Sequence, residues 1–289
     1  MTDNPDPKPA LWLRMLRLPP VRLVTLGGGL FYMLMVNNTF MTWFAATPLA
    51  STAVTVAMTG LALAIYVGFV RFIEGRPVRE LSLPGMGREL GIGAAIGAGL
   101  YTICVLILMA LGIYRIEGLN PVSFMLPAVA MALNAGIFEE LVFRGALFRI
   151  VEEMFGSWIS LAVSSFVFGF IHMLNPAGTL MGAIFISIEA GLLLAAAYML
   201  TRRLWMSIGF HMAWNYTQSA VFSGVVSGGD KDPGLIKSAI VGPAALTGGS
   251  FGLESSLIAF LLCTGTGVVL LVIAVRRGHV MPPFWQRVT

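Results

Sequence analysis

The chain has 289 residues, of which 57% are hydrophobic and only 11% charged, with a mean hydropathy of +0.85 and a formal charge of +4. A soluble domain carries about 25% charged residues, so this composition excludes a water-soluble globular protein and specifies a polytopic membrane protein. The positive charge needs no nucleic acid partner, because a basic face toward anionic membrane lipid accounts for it.

In chain order, residues 1–25 mix Asp3, Asp6, Lys8, Arg14, Arg17 and Arg22 with prolines. No small-residue cleavage site follows a short apolar core, so this stretch reads as an uncleaved cytoplasmic tail. Apolar runs then fall at about 26–46, 50–70, 91–113, 122–143, 158–174, 179–200, 204–224 and 253–275, eight spans of near bilayer length. The expected fold is an all-α polytopic bundle of about eight transmembrane helices. Its single membrane domain covers 26–275, and residues 276–289 form a second cytoplasmic tail.

Counting Lys and Arg by loop sets the orientation, because basic loops stay in the cytosol. One side of the eight-span arrangement collects 15 of the 18, and the other holds only Arg115, Lys231 and Lys237. Both termini are therefore expected in the cytosol, and short loops with a compact length point to a bacterial inner membrane.

Smaller features follow from spacing. Gly93 and Gly97 form a small-xxx-small face for close helix packing. Leu147–Phe155 reads as an amphipathic helix at the cytoplasmic interface. Residues 225–252, rich in Gly, Pro and Ser, read as a flexible surface loop. Cys104 and Cys263 lie inside spans and read as inert core thiols.

Chemistry concentrates in 134–146, NAGIFEELVFRGA. Each ionisable group at the centre of a membrane helix costs roughly 3 kcal/mol, so Glu139, Glu140 and Arg144 need a reason to be there. Glu140 and Arg144 are four apart, the spacing of an intrahelical ion pair, and Glu139 points to another face. The remaining intramembrane polar residues include His172 in the fifth span, Glu189 in the sixth, and His211 with Asn215, also four apart, in the seventh. By simple rise along these spans Glu139 and His211 fall toward the cytoplasmic side, whereas His172 falls nearer the opposite end. Glu189 is left with two readings, a partner for Arg144 or a solvated acid lining the cavity.

Two His, an Asn, two Glu and an Arg on three spans supply the materials for a hydrolytic site. Aspartyl chemistry is excluded, since Asp3, Asp6, Asp230 and Asp232 all lie in the tail or the long loop. HExxH is absent, and no GxSxG element presents a serine nucleophile within a span, the one match, GGSFG at 248–252, lying in the long loop. What remains is a water activated by carboxylate and imidazole.

The motifs Glu139-Glu140-xxx-Arg144, Phe168-xxx-His172 and His211-xxx-Asn215 resemble, in order, the three signatures of the CAAX protease and bacteriocin-processing family of intramembrane proteases. The resemblance covers about 120–222. It implies an endopeptidase in which Glu139 is the general base, His172 helps hold the attacking water, and His211 and Asn215 face the scissile carbonyl as oxyanion donors. Glu140 and Arg144 would be the supporting ion pair. Metal-free activation is the preferred form, because Asn is a poor zinc ligand and a ligating Glu139 would leave no base. One Zn²⁺ on Glu139, His172 and His211 is the alternative. The expected partners are membrane lipid and a membrane-associated peptide or lipidated protein, cut near the cytoplasmic face. A non-proteolytic scaffold or immunity protein of the same fold is the competing reading. A small transporter would show a repeated pair of broken helices, which the sequence lacks.

Overall fold

The computed structural model describes residues 10–287, so positions 1–9 of the expected N-terminal tail and the last two residues of the C-terminal one lie outside the described residues. Among the described residues, six helices are long and apolar enough to cross a membrane, against the eight spans expected: α1 (Pro19–Trp43), α2 (Pro48–Ile73), α3 (Met86–Ala110), α4 (Val122–Leu174), α5 (Leu180–Thr201) and, last of them, Leu257–Arg276. A further helix, α6, runs over 205–221 and is too short for that class. The final helix is α7. Its start is capped by the Ser256 side chain on the Ala259 N–H, and that of α5 by Thr179 on Gly182. Between the helices, β1 (Tyr114–Leu119) and β2 (Ile236–Ile240) pair antiparallel as a small two-stranded ribbon.

The fourth and fifth expected spans prove to be one 53-residue element. The helix does not stop at 143 but continues to a break at Gly156, whose backbone (φ 80°, ψ 173°) only glycine adopts readily. There α4 folds into a hairpin. The Ser164 hydroxyl of the second arm donates to the Phe143 carbonyl of the first, and Phe143 and Phe168 meet edge to face. Glu139 stands 17 residues before the break and His172 16 after it. The two sit opposite one another across the hairpin, which removes the mismatch of depth expected from separate spans.

Leu147–Phe155, expected as an interfacial amphipathic helix, is instead the end of the first arm, and Arg149 and Glu152 within it are buried. They anchor an ionic network that ties one end of the bundle together. Arg149 clamps the Glu74 carboxylate with both terminal nitrogens at 2.8 and 3.0 Å, and Arg76 adds a bond at 2.7 Å. Arg22 pairs with Glu153, and Arg202 with Glu152. This is the end at which the basic loops gather, although Arg144, counted among them, is fully buried in the bundle. Burial pushes the Glu74 carboxyl up, but the guanidiniums of Arg149 and Arg76 outweigh it and hold the group below the ordinary carboxylate range.

At the opposite end, the stretch expected as a flexible loop is folded. Gly228 exchanges backbone hydrogen bonds with Ala177 and Phe251, Ser223 and Ser227 are buried, and β2 belongs to the ribbon.

Small residues set how closely α3 approaches α6. A Cβ at Gly93 would meet the Met206 carbonyl and one at Gly97 the Phe210 carbonyl, whereas Gly91 and Gly99 face open space. The small-xxx-small face is therefore the α3–α6 contact. Replacing Gly97 with Leu should force the helices apart at a cost of about 1–3 kcal/mol, lowering the thermal midpoint in detergent, whereas Gly99→Leu should leave it within a degree or two. Because the folded Glu74 carboxyl lies below its ordinary value of 4.5, its stabilisation is complete above that pH and is lost as pH falls through the lowered value. Thermal midpoints measured across pH 3–7 should fall on the acid limb, and Glu74→Gln should flatten that limb while lowering the midpoint at pH 7.

Candidate active site

The first arm of α4 is wound as π-helix over Asn134–Glu139 and again over Leu141–Phe148. The same winding recurs in α5 at Ser187–Gly191 and in α6 at Thr217–Val221. Such turns occur often at functional sites, but here they also occur in α1 at Leu23–Gly27 and in α2 at Phe69–Ile73, so the winding alone does not mark the site.

Glu140 and Arg144 are wholly buried and joined at 2.9 Å, and the same Glu140 oxygen, Oε1, accepts from His211 Nδ1 at 2.9 Å. Arg144 also donates to the Gly191 carbonyl and lies over the Phe168 ring at 4.4 Å. Arg144, Glu140 and His211 thus form a continuous chain linking α4 to α6, and it sets the ring of His211. With Nδ1 held by Glu140, Nε2 points to Glu139, whose Oε2 lies 3.8 Å away. That oxygen is buried and has no hydrogen-bond partner among the described residues. The gap is too long for a direct hydrogen bond.

His172 closes the site from the second arm. Its Nδ1 lies 2.7 Å from the Phe168 carbonyl. A carbonyl only accepts, so a proton sits on Nδ1, and Nε2 is the ring nitrogen left to face the cavities. Phe168, the first residue of its motif, is packed edge to face against both His172 and His211 and spaces the two rings.

Two cavities meet at His172. The inner one, about 20 Å³ and so roomy enough for one water, is lined by His172, His211, Asn215, Glu189 and Glu254. The outer one, about 230 Å³, is bounded by Glu139, His172, Asn38 and Asn175 with apolar walls of Phe31 and Phe143. Glu139 thus lines the outer cavity and His211 and Asn215 the inner one, His172 faces both, and His211 Nε2 lies 3.8 Å from Glu139 Oε2. Glu189 does not pair with Arg144; it is buried in the inner cavity with Oε2 unpartnered. Cys263, expected as an inert core thiol, also lines that cavity.

Residues 121–217 match the model of the family described as Type II CAAX prenyl endopeptidase Rce1-like. Over those residues, about a third of its length, the chain is similar to that family. No curated protein and no solved structure matches.

Important parts of the site lie outside the Rce1-like segment. Asn38 comes from α1, and Glu254 precedes α7 in FGLES. Glu254 accepts from Trp214 Nε1 with one oxygen and from the Ser227 amide and hydroxyl with the other. Ser227 takes a left-handed backbone (φ 49°), rare outside glycine, to make both bonds. The sequence offered one signal for Glu254, an acid in the first turn of an expected span, and none for Asn38 beyond two adjacent asparagines in an apolar run.

A catalytic zinc on Glu139, His172 and His211 does not fit this geometry. Among the described residues no three His, Cys, Asp or Glu side chains gather as one ion requires. His211 and His172 both have Nδ1 held, on Glu140 and on the Phe168 carbonyl, which leaves each Nε2 free as in a ligating His, but of the two imidazole–Glu139 pairs only that of His211 comes within 4 Å.

Removing one member of a buried pair leaves an uncompensated charge, at a typical cost of 3–5 kcal/mol. Arg144→Met should therefore lower the thermal midpoint sharply or abolish folding, and Glu140→Gln combined with Arg144→Met should recover most of the loss.

Proposed function

We propose that the protein is an intramembrane endopeptidase of the CAAX-protease type that hydrolyses a peptide bond with a water activated by Glu139. The reading rests above all on the unpartnered Glu139 Oε2 held 3.8 Å from His211 Nε2 at the wall of a cavity. A general base must reach the proton it removes directly or through one water, and the free Glu139 oxygen belongs to a side chain that lines the outer cavity together with His172.

In this mechanism the water lies between Glu139 and Nε2 of His172. Glu139 takes its proton as the water oxygen bonds to the scissile carbonyl carbon. The resulting oxyanion accepts from Asn215 Nδ2, whose amide makes no side-chain hydrogen bond among the described residues, and from His211 Nε2–H. His211 serves as that donor in its imidazolium form, with one N–H on Glu140 and the other on the oxyanion. Preorganised donors of this kind act where charge develops and are worth about 2.7–4 kcal/mol each. Glu139 then passes its proton to the departing amine nitrogen as the carbon–nitrogen bond breaks. The family description names prenylated CAAX substrates. For this chain the substrate class is a membrane-associated peptide or lipidated protein, reached from a membrane with both termini on its cytoplasmic side.

The test is cleavage of a quenched fluorescent lipidated peptide by purified protein in detergent. Glu139→Gln should abolish turnover, Asn215→Ala should reduce kcat about 100- to 1,000-fold, and chelator should leave the wild type unaffected. Full activity in Glu139→Gln, or loss on chelation restored by zinc, would overturn the mechanism.

A further inference from the structure

The outer cavity contains two side-chain amides, Asn38 and Asn175, that the mechanism does not use. Each is held at one end by the protein. The Oδ1 of Asn38 accepts from Asn134 Nδ2 at 2.7 Å, and Asn134 is itself fixed through its own Oδ1, which accepts from Asn37 at 2.8 Å. Because Oδ1 of Asn38 is engaged, its Nδ2 is the end free to donate. Asn175 is held in the opposite sense. Its Nδ2 donates to the Ser227 carbonyl at 2.7 Å, which leaves Oδ1 free to accept. Ser227 is in turn fixed by Glu254.

The cavity wall that carries Glu139 and His172 therefore also carries one oriented donor and one oriented acceptor, each supported by a second layer of hydrogen bonds. A peptide backbone presents the complementary set, one C=O and one N–H per residue, and inside a membrane these groups find no water to bond. An ester lipid or a hydrocarbon ligand would leave the acceptor unused. We infer that Asn38 and Asn175 bind the substrate main chain next to the scissile bond, Asn38 Nδ2 donating to a peptide carbonyl and Asn175 Oδ1 accepting from a peptide N–H. The bound segment is then extended, since a helical one would already have spent its N–H and C=O groups internally. At about 230 Å³ the cavity exceeds the 150 Å³ that holds a benzene ring, and it admits a backbone segment with one large apolar side chain against Phe31 and Phe143.

The inference rests on the peptidase reading, and binding separates the two. Fluorescein-labelled decapeptides with a randomised apolar centre are titrated by anisotropy against full-length Glu139→Gln protein in detergent, and the tightest binder is remade with single backbone esters, each replacing one N–H. In that background Asn38→Leu and Asn175→Leu should each weaken binding about five- to tenfold, the net value of one hydrogen bond. One ester position should weaken binding to the Asn175 protein's parent by a similar factor and have no effect on Asn175→Leu, a coupling that a merely structural role would not produce. Equal binding by parent and variants, weakening without coupling to any ester, or no binding of any decapeptide would overturn the inference. Turnover by Glu139→Gln would instead overturn the peptidase mechanism and leave the binding result to be read by itself.

Discussion

The arrangement depends on one carboxylate, Glu140. It lies in an apolar bundle where an unpaired charge would cost several kcal/mol, and it is tolerated because one oxygen receives both Arg144 and His211. Arg144 satisfies the charge from within the same helix. His211 brings in α6. That second bond turns a local pairing into a tertiary constraint, since it fixes which ring nitrogen faces Glu139 and therefore what the site can do. The stabilising pair and the orienting pair share an atom, so the stability of the bundle and the geometry of its chemistry are coupled.

The hairpin in α4 supplies the second constraint. Gly156 reverses the chain, and a Cβ there would press on the Met281 carbonyl and Pro283 nitrogen of the C-terminal segment. The Ser157 amide and hydroxyl bond the Met281 backbone, so the turn is clamped from below. The ionic network around Arg149 and Glu74 stiffens the same end. Movement is thereby restricted far from the site, and the register of Glu139 against His172 is inherited from it.

Much of this was legible in the chain. The cost of ionisable groups in a membrane singled out Glu139, Glu140, Arg144, His172, His211 and Asn215, and the four-residue spacing of Glu140 and Arg144 is the pair observed. The glycine spacing at 93 and 97 marked a real interface. What failed was the inference of boundaries. Hydropathy ends a span at Arg144 and Arg149 because it treats charge as aqueous, whereas both are buried with carboxylate partners. The loop at 225–252 read as flexible because its order comes from Glu254, Phe251 and Ala177, which are distant in sequence or lie across the β ribbon. The π-winding has no local signature at all.

The division of labour in the site follows the division of the chain. Groups suited to activating water and receiving an oxyanion come from α4 and α6, within the Rce1-like residues 121–217. The groups that shape the space around them come from elsewhere: Asn38 from α1, and Ser227 and Glu254 from the segment after α6. A reaction common to many peptide bonds needs a fixed constellation, whereas the choice of peptide depends on what bounds the cavity. Substitutions at Asn38 or Ser227 can therefore change the cavity wall without disturbing the Arg144–Glu140–His211 chain, because no hydrogen bond among the described residues connects the two sets directly. His172 is the exception. It bounds both cavities, so a change there alters chemistry and fit together.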